Sequence, residues 1–272
     1  MTTNNPPDFL TIIKQLSLDS ISLHPTRTRF LEHRKVCLHT IGLNLTEEKL
    51  STEVSRLAES GQQIEAAFLA LLLHNHNLAL TALKTGKNLP RHRVLAIAVA
   101  GYDRGNNDGL WSEAVDDMRQ NAEDPYSRAI FALVRRGNWR DVLKEPSLPL
   151  TYSTAIALLH LSDTEVTKHI NDATTSAEAS GDISGIFLTG LTEQSISLFE
   201  TYITKHPDLQ TTVLAFAHVV PRYFTSHVDV QNAGGTGKGF VLSWAVIAFV
   251  ALAVEKPIFS ASIEVTMSQT VV

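Results

Sequence analysis

From Arg27 to Phe224 the apolar residues recur in short runs, broken at intervals of roughly 12 to 20 residues by polar turns. The clearest run is Gln62–His74. Ile64, Ala67, Phe68, Leu71 and Leu72 fall there at i, i+3, i+4, i+7 and i+8, the stripe of an amphipathic helix. Asn77 stands where a cap would open the next helix, to Lys84, and Gly86 where it would stop. Pro90 suits a first helical position, with Val94, Ile97, Ala98 and Gly101 on one predicted face. Further helices are expected over Leu110–Gln120, Pro125–Arg136, Trp139–Lys144 and Thr151–Leu161. Ser162 with Glu165 three residues on is a capping-box signature, and Val166, Ile170 and Ala173 share a face of the helix that follows, up to Gly181. Helices over Asp182–Leu191, Thr192–Lys205 and Leu209–Val219 complete the series, with Pro207 and Pro221 as punctuation.

No alternating valine, isoleucine and threonine run with an Asn-Gly or Asp-Gly turn occurs in this stretch, so it predicts an all-α fold. Many short helices on tight turns pack as stacked hairpins, and Ala66, Ala67, Ala70, Ala96, Ala98 and Ala100 permit close approach. No strict tetratricopeptide or ankyrin consensus is present, which predicts an irregular α-solenoid over 27–224.

The ends read differently. Residues 1–26 are polar and proline-punctuated, a mobile leader around a short helix near Phe9–Leu16. Residues 225–239 form a glycine-rich linker, and 240–272 an apolar segment and tail. Phe240–Val254 carries no charge but, at about 15 residues, falls short of the ~20 that span a bilayer. Three readings stay open for it: a short membrane-inserted anchor, a helix capping the solenoid, or sequence outside the ancestral reading frame.

Charge narrows the partners. With 23 basic and 28 acidic residues the net charge is -5, which argues against nucleic acid. Cys37 is the one cysteine, so neither an internal disulfide nor a thiolate zinc site can form; a buried apolar role is expected for it. The N-terminus lacks the basic and apolar regions of a signal peptide, which points to an intracellular protein.

Candidate chemistry is thin. Gly234–Gly239 superficially resembles a phosphate loop, but Asn232 and Gly239 occupy positions where the motif needs glycine and a hydroxyl residue. His74 and His76 are two apart and do not share a helix face, so they make poor joint metal ligands; a helix C-terminus would account for both. Glu113, Asp116 and Asp117 read as a solvated face. No cofactor, metal or catalytic constellation is expected. Trp111, Tyr126, Phe131 and Trp139 have the spacing of core anchors; Trp111, Tyr126 and Trp139 are alternatively candidate partner contacts.

One block is more specific than periodicity. Gly181-Asp182-Ile183-Ser184-Gly185-Ile186-Phe187-Leu188-Thr189-Gly190-Leu191-Thr192 is required by no generic helical hairpin. Leu161-Ser162-Asp163 precedes it and Asp208-Leu209-Gln210-Thr211 follows. Ala66-Ala67, Ala100-Gly101-Tyr102, Leu110-Trp111 and Asp124-Pro125-Tyr126 stand upstream. Together these closely resemble the α-solenoid of the Mio (missing oocyte) family, a component of the GATOR and SEA complexes. The block's Gly181, Gly185, Leu188, Thr189, Gly190, Leu191 and Thr192 are the family-motif residues. The resemblance implies a non-catalytic scaffold that supports amino-acid-dependent activation of TOR complex 1 signalling. It further implies contact with WD-propeller subunits and a cytoplasmic place at the vacuolar or lysosomal surface. The family plan also includes an N-terminal propeller and a C-terminal zinc module. Neither is expected here, so the chain reads as a fragment, a truncated product or a divergent short form.

Overall fold

Start and stop signals account for most of the helices in the computed structural model, which describes residues 13–14, 28–85, 90–103, 109–190, 195–206 and 208–216. Among the described residues the fold is all-α, an α-solenoid of packed helix pairs with no strand. The described helices are α1 (Leu31–Thr40), α2 (Glu47–Glu59), α3 (Gln63–Leu72), α4 (His76–Lys84), α5 (Pro90–Asp103), α6 (Gly109–Gln120), α7 (Pro125–Arg136) and α8 (Trp139–Val142). They continue as α9 (Leu150–His160), α10 (Asp163–Ser180), α11 (Ile186–Thr189), α12 (Ser195–Lys205) and α13 (Leu209–Phe216). The chain forms two compact units, residues 1–169 and 170–272, and the division falls within α10. The linker at 225–239 and the segment at 240–272 lie outside the described residues, as does the leader except for helical Ile13 and Lys14. Ile13 is fully buried. No helix among the described residues is long and apolar enough to cross a membrane.

The first unit is built around α3. Eight of its ten residues are buried, because α2, α4 and α7 all pack on it. α7 shows why local signals suffice there. Asp124 caps it by accepting from the Ser127 N–H, Pro125 occupies the first turn, and Arg135 and Arg136 place positive charge in the last turn. Gly137 then turns the chain at φ +67°.

α1 reaches across to α9, and one side chain fastens the pair. Arg34, only 3% exposed, donates to the carbonyls of Leu158 (2.7 Å) and Leu161 (2.9 Å), which α9 leaves without helical partners. The same guanidinium pairs with Asp163 at the start of α10. Asp163 also accepts from the Thr28 hydroxyl at 2.6 Å and the Arg29 N–H at 3.1 Å. One arginine thus serves a helix C-terminus and a helix N-terminus at once. Nearby, Glu165 accepts from the Ser162 N–H (3.0 Å) and hydroxyl (2.6 Å), half of the expected capping box, and takes Arg140 in a two-point ion pair.

The second unit centres on Phe199, fully buried, with Ile183, Ile186, Ile196, Ile203 and Ala215 packed against it. Lys205 closes α10 by donating to the carbonyls of Ala179 and Ser180.

Several expectations are corrected. Asn75, not Asn77, caps α4, accepting from the Leu78 N–H at 3.0 Å. The inward face of α5 is His92, Leu95, Ala98 and Val99; Val94 and Ile97 are 37% and 65% exposed. Cys37 is exposed, because Arg34, Lys35 and Leu38 take the inward face of α1. Residues 182–191 do not make one helix: a 3-10 turn at Ile183–Gly185 runs into the single turn of α11. His76 opens α4 instead of closing α3. Asp116 is no bare solvated carboxylate, since Arg135 pairs with it at 2.6 Å and Arg119 at 3.7 Å.

Arg34→Ala leaves the Asp163 carboxylate and two helix-end carbonyls without their partner, a loss of about 3 kcal/mol or more in urea unfolding. Acid acts on the same corner. The Thr28 hydroxyl, Arg29 N–H and Arg34 hold Asp163 down at about 2, and Arg140 with Ser162 does the same for Glu165. Their contribution is complete above the ordinary carboxylate range near pH ~4 and is lost as the pH falls towards 2. A pH titration of the melting temperature should show that loss diminished in Asp163→Asn.

Candidate functional site

Phe68 at the middle of α3 gathers aromatic side chains from three later elements. Its ring lies 5.8 Å from Tyr126 at the start of α7, 6.4 Å from Trp139 of α8 and 5.5 Å from Tyr152 of α9. Tyr126 and Tyr152 meet edge to face at 5.6 Å. Both phenols turn to Glu65, one helical turn from Phe68. Tyr152 donates to its carboxylate at 2.8 Å, and burial together with that negative neighbour pushes both phenols above their ordinary range. Tyr126 and Trp139 therefore sit half-buried against Phe68, one tilted and one in an edge contact, ordering the hairpin stack.

Trp139 also stacks on His160, with centroids 4.4 Å apart and planes within 6°. Burial, then the nearby His74 ring 5.2 Å away, hold His160 down at about 3, so it is neutral at physiological pH. His74 itself has φ +62° in the turn between α3 and α4. The turn has three residues, since α3 ends at Leu72 and Asn75 caps α4; the Asn75 N–H reaches back to the Ala70 carbonyl at 2.8 Å. A left-handed residue is needed where the sequence has no glycine. His76 stacks instead on Tyr102. No group of three or more potential metal-ligating side chains occurs among the described residues.

Trp111 is placed differently. Its indole lies over Gly101, where an added Cβ would come within 2.7 Å of the ring, so α6 approaches the end of α5 because that residue has no side chain. Its indole N–H is buried and has no hydrogen-bond partner among the described residues. At the other end the two helices part. Both lean on α7 more than on each other, and a groove of about 560 Å³ opens between early α5 and late α6. Leu95, Met118 and Phe131 are among its lining residues. A second groove, of about 610 Å³, runs beside α2 over Leu43, Leu69 and Tyr152.

The family-motif block in the second unit builds turns. Gly181 ends α10 at φ +68°, with an added Cβ only 3.0 Å from the Tyr202 nitrogen. At Gly185 an added Cβ would meet Ala177 at 2.7 Å. Thr189 is buried and its hydroxyl lies 3.0 Å from the Gly190 carbonyl, which it donates to; Gly190 turns at φ +64°. Leu188 is half-buried, and Leu191 and Thr192 lie outside the described residues.

Stacked helical pairs offering grooves and apolar edges define a helical-repeat protein of the α-solenoid class. More narrowly, residues 15–160 match the family model described as MIOS, alpha-solenoid, and the chain belongs to that family. An uncharacterised WD repeat-containing protein of Schizosaccharomyces pombe is 35% identical over 219 residues, 78% of this chain and 24% of that protein. SEH-associated protein 4 of Saccharomyces cerevisiae is 31% identical over 220 residues, 79% of this chain and 21% of that one. The GATOR2 complex protein MIOS-A of Xenopus laevis is 29% identical over 164 residues, 58% and 18% respectively. The chain thus spans a quarter or less of the length of these curated relatives. The family match ends before the Gly181–Thr192 block, which no periodicity argument would have singled out.

Two glycines separate turn geometry from packing. Gly61→Ala meets open space at φ +90° and costs about 1 kcal/mol of backbone strain. Gly181→Ala adds a collision with the backbone of α12 and should cost at least about 2 kcal/mol. Chemical denaturation of the two variants measures the difference.

Proposed function

We propose that this chain is a non-catalytic scaffold segment of a GATOR2/SEA-type complex, acting through protein–protein contacts. The observation that carries the proposal is the match of residues 15–160 to the MIOS solenoid, joined to relatives named for SEH association and for the GATOR2 complex. The geometry is compatible with that role. Phe68, Tyr126, Trp139 and Tyr152 help to hold helices together, Tyr126 and Trp139 while still partly exposed, and two grooves open on the helical surface. WD-propeller subunits are the proposed partners, and Trp111, Tyr126 and Trp139 remain proposed contributors to their binding surface. The assembly would act at the vacuolar or lysosomal surface in support of TOR complex 1 signalling. The glycine-rich block at 181–192 would serve as a rigid turn in the scaffold.

Co-expression of the full chain with the propeller subunits of such a complex tests the assignment. Stoichiometric co-purification through gel filtration is the expected result, and recovery of the chain alone at every step contradicts it. If the role in signalling holds, deletion of the gene should also blunt the recovery of TOR complex 1 substrate phosphorylation when amino acids are restored.

A further inference from the structure

α5 has two apolar stripes, and the fold uses one of them. His92, Leu95, Ala98 and Val99 pack inward, while Val94 and Ile97 on the other stripe are 37% and 65% exposed. Leu110, two residues into α6, is 82% exposed. These three are most of the large exposed hydrophobics among the described residues, and they gather on one helical pair. That pair is pinned at one end, where Trp111 lies over Gly101, and open at the other, where Val94 lines the 560 Å³ groove floored by Phe131 of α7.

The charges at the open end set what fits there. Arg91 stands on the α5 wall, with Asp117 and Glu123 on the α6 side. All three are exposed and none forms an ion pair among the described residues, with each other or otherwise. Their neighbours are paired: Asp116 with Arg135 and Arg119, and Arg128 with Glu145. The opening therefore has an apolar floor, a basic wall and an acidic wall.

We infer that the outward face of the α5–α6 pair, from the groove at Val94 across Ile97 to Leu110, receives an amphipathic α-helix of a partner protein. The helix lays an i, i+3/i+4, i+7 apolar stripe over Val94, Ile97 and Leu110. It carries an acidic residue on the flank facing Arg91 and a basic residue on the flank facing Asp117 and Glu123. Walls of opposite sign fit a helix with opposite flanks, as in charge-paired helical zippers, and fix its rotation about its axis. A lipid surface has no use for the acidic wall, and a nucleic acid would be repelled by it. The inference rests on the scaffold reading only in that the ligand is a protein.

Replacing Ile97 with p-benzoylphenylalanine in the full chain, irradiating cells that express it and sequencing the cross-linked peptide gives the test. The expected adduct is a helix-forming segment with that stripe and those flanks. Its synthetic peptide should bind the full chain, measured by fluorescence anisotropy. Ile97→Asp with Leu110→Asp should weaken it at least about thirtyfold. Arg91→Glu should weaken it about two- to fivefold, with recovery when the facing acid of the peptide becomes lysine. No adduct, an adduct to lipid, to a second copy of this chain or to a propeller loop, or a peptide indifferent to Ile97→Asp overturns the inference. The cross-link does not depend on which subunits co-purify, so it can fail while the scaffold assignment stands, and the reverse.

Discussion

Burial of α3 on all sides is the constraint from which the first unit follows. A helix with Ile64, Ala66, Ala67, Phe68, Leu69, Ala70, Leu71 and Leu72 out of water has no solvent face, so neighbours must cover it in every direction. α2, α4 and α7 do so, and Phe68 extends the demand to α8 and α9 through Trp139 and Tyr152. Alanines at 66, 67 and 70 let those neighbours come close, while Phe68 fills the space that such close packing leaves irregular. The polar consequences are met locally. Glu65, one turn before Phe68, takes the hydroxyl of Tyr152 and is the acid beside Tyr126, so the aromatic cluster buries two phenols without stranding them.

The second requirement is closure. In a solenoid each repeat touches its neighbours and the terminal ones expose a face. Here α1 packs on α9, separated from it by more than a hundred residues, and Arg34 turns that contact into a hydrogen-bonded joint with Leu158, Leu161 and Asp163. A buried arginine is costly unless all of its donors are engaged, and the carbonyls at a helix end are acceptors in need of donors. Each answers the other.

How much of this was legible depended on whether the deciding signal was local. α7 could be read to its last residue, because Asp124, Pro125, the arginine pair and Gly137 mark both ends. Gly181 marked the end of α10 for the same reason. The all-α architecture and the MIOS-type solenoid were legible too, from helical spacing and from the residues that carry the family resemblance. The turn at His74 was not, since its left-handed residue is forced by the short distance between α3 and the Asn75 cap and no glycine announces it. Nor was the inward face of α5. Val94, Ile97 and Gly101 make as good a helical stripe as Leu95, Ala98 and Val99, and only the positions of α4 and α7, which pack on α5, decide between them. Cys37 misleads in the same way: Arg34 and Lys35 look like surface residues until the acceptors on α9 and Glu32 are seen.

The ambiguity on α5 is itself informative. A helix that needed only one buried face would gain from charge on the other, as α2 does with Glu47, Glu48 and Glu59. α5 keeps valine and isoleucine in water, with Val94 lining the cleft, and α6 exposes Leu110 at the other end of the pair. Glycine at 101 holds the helices together at one end, so the opening at the other end is geometric and does not require disorder. Tryptophan and tyrosine are the residues that usually dominate interface energetics. In this fold Tyr126 and Trp139 pack against Phe68 and Trp111 lies over Gly101. The apolar surface left outward between α5 and α6 is aliphatic, and its direction is set by how those aromatic residues are packed.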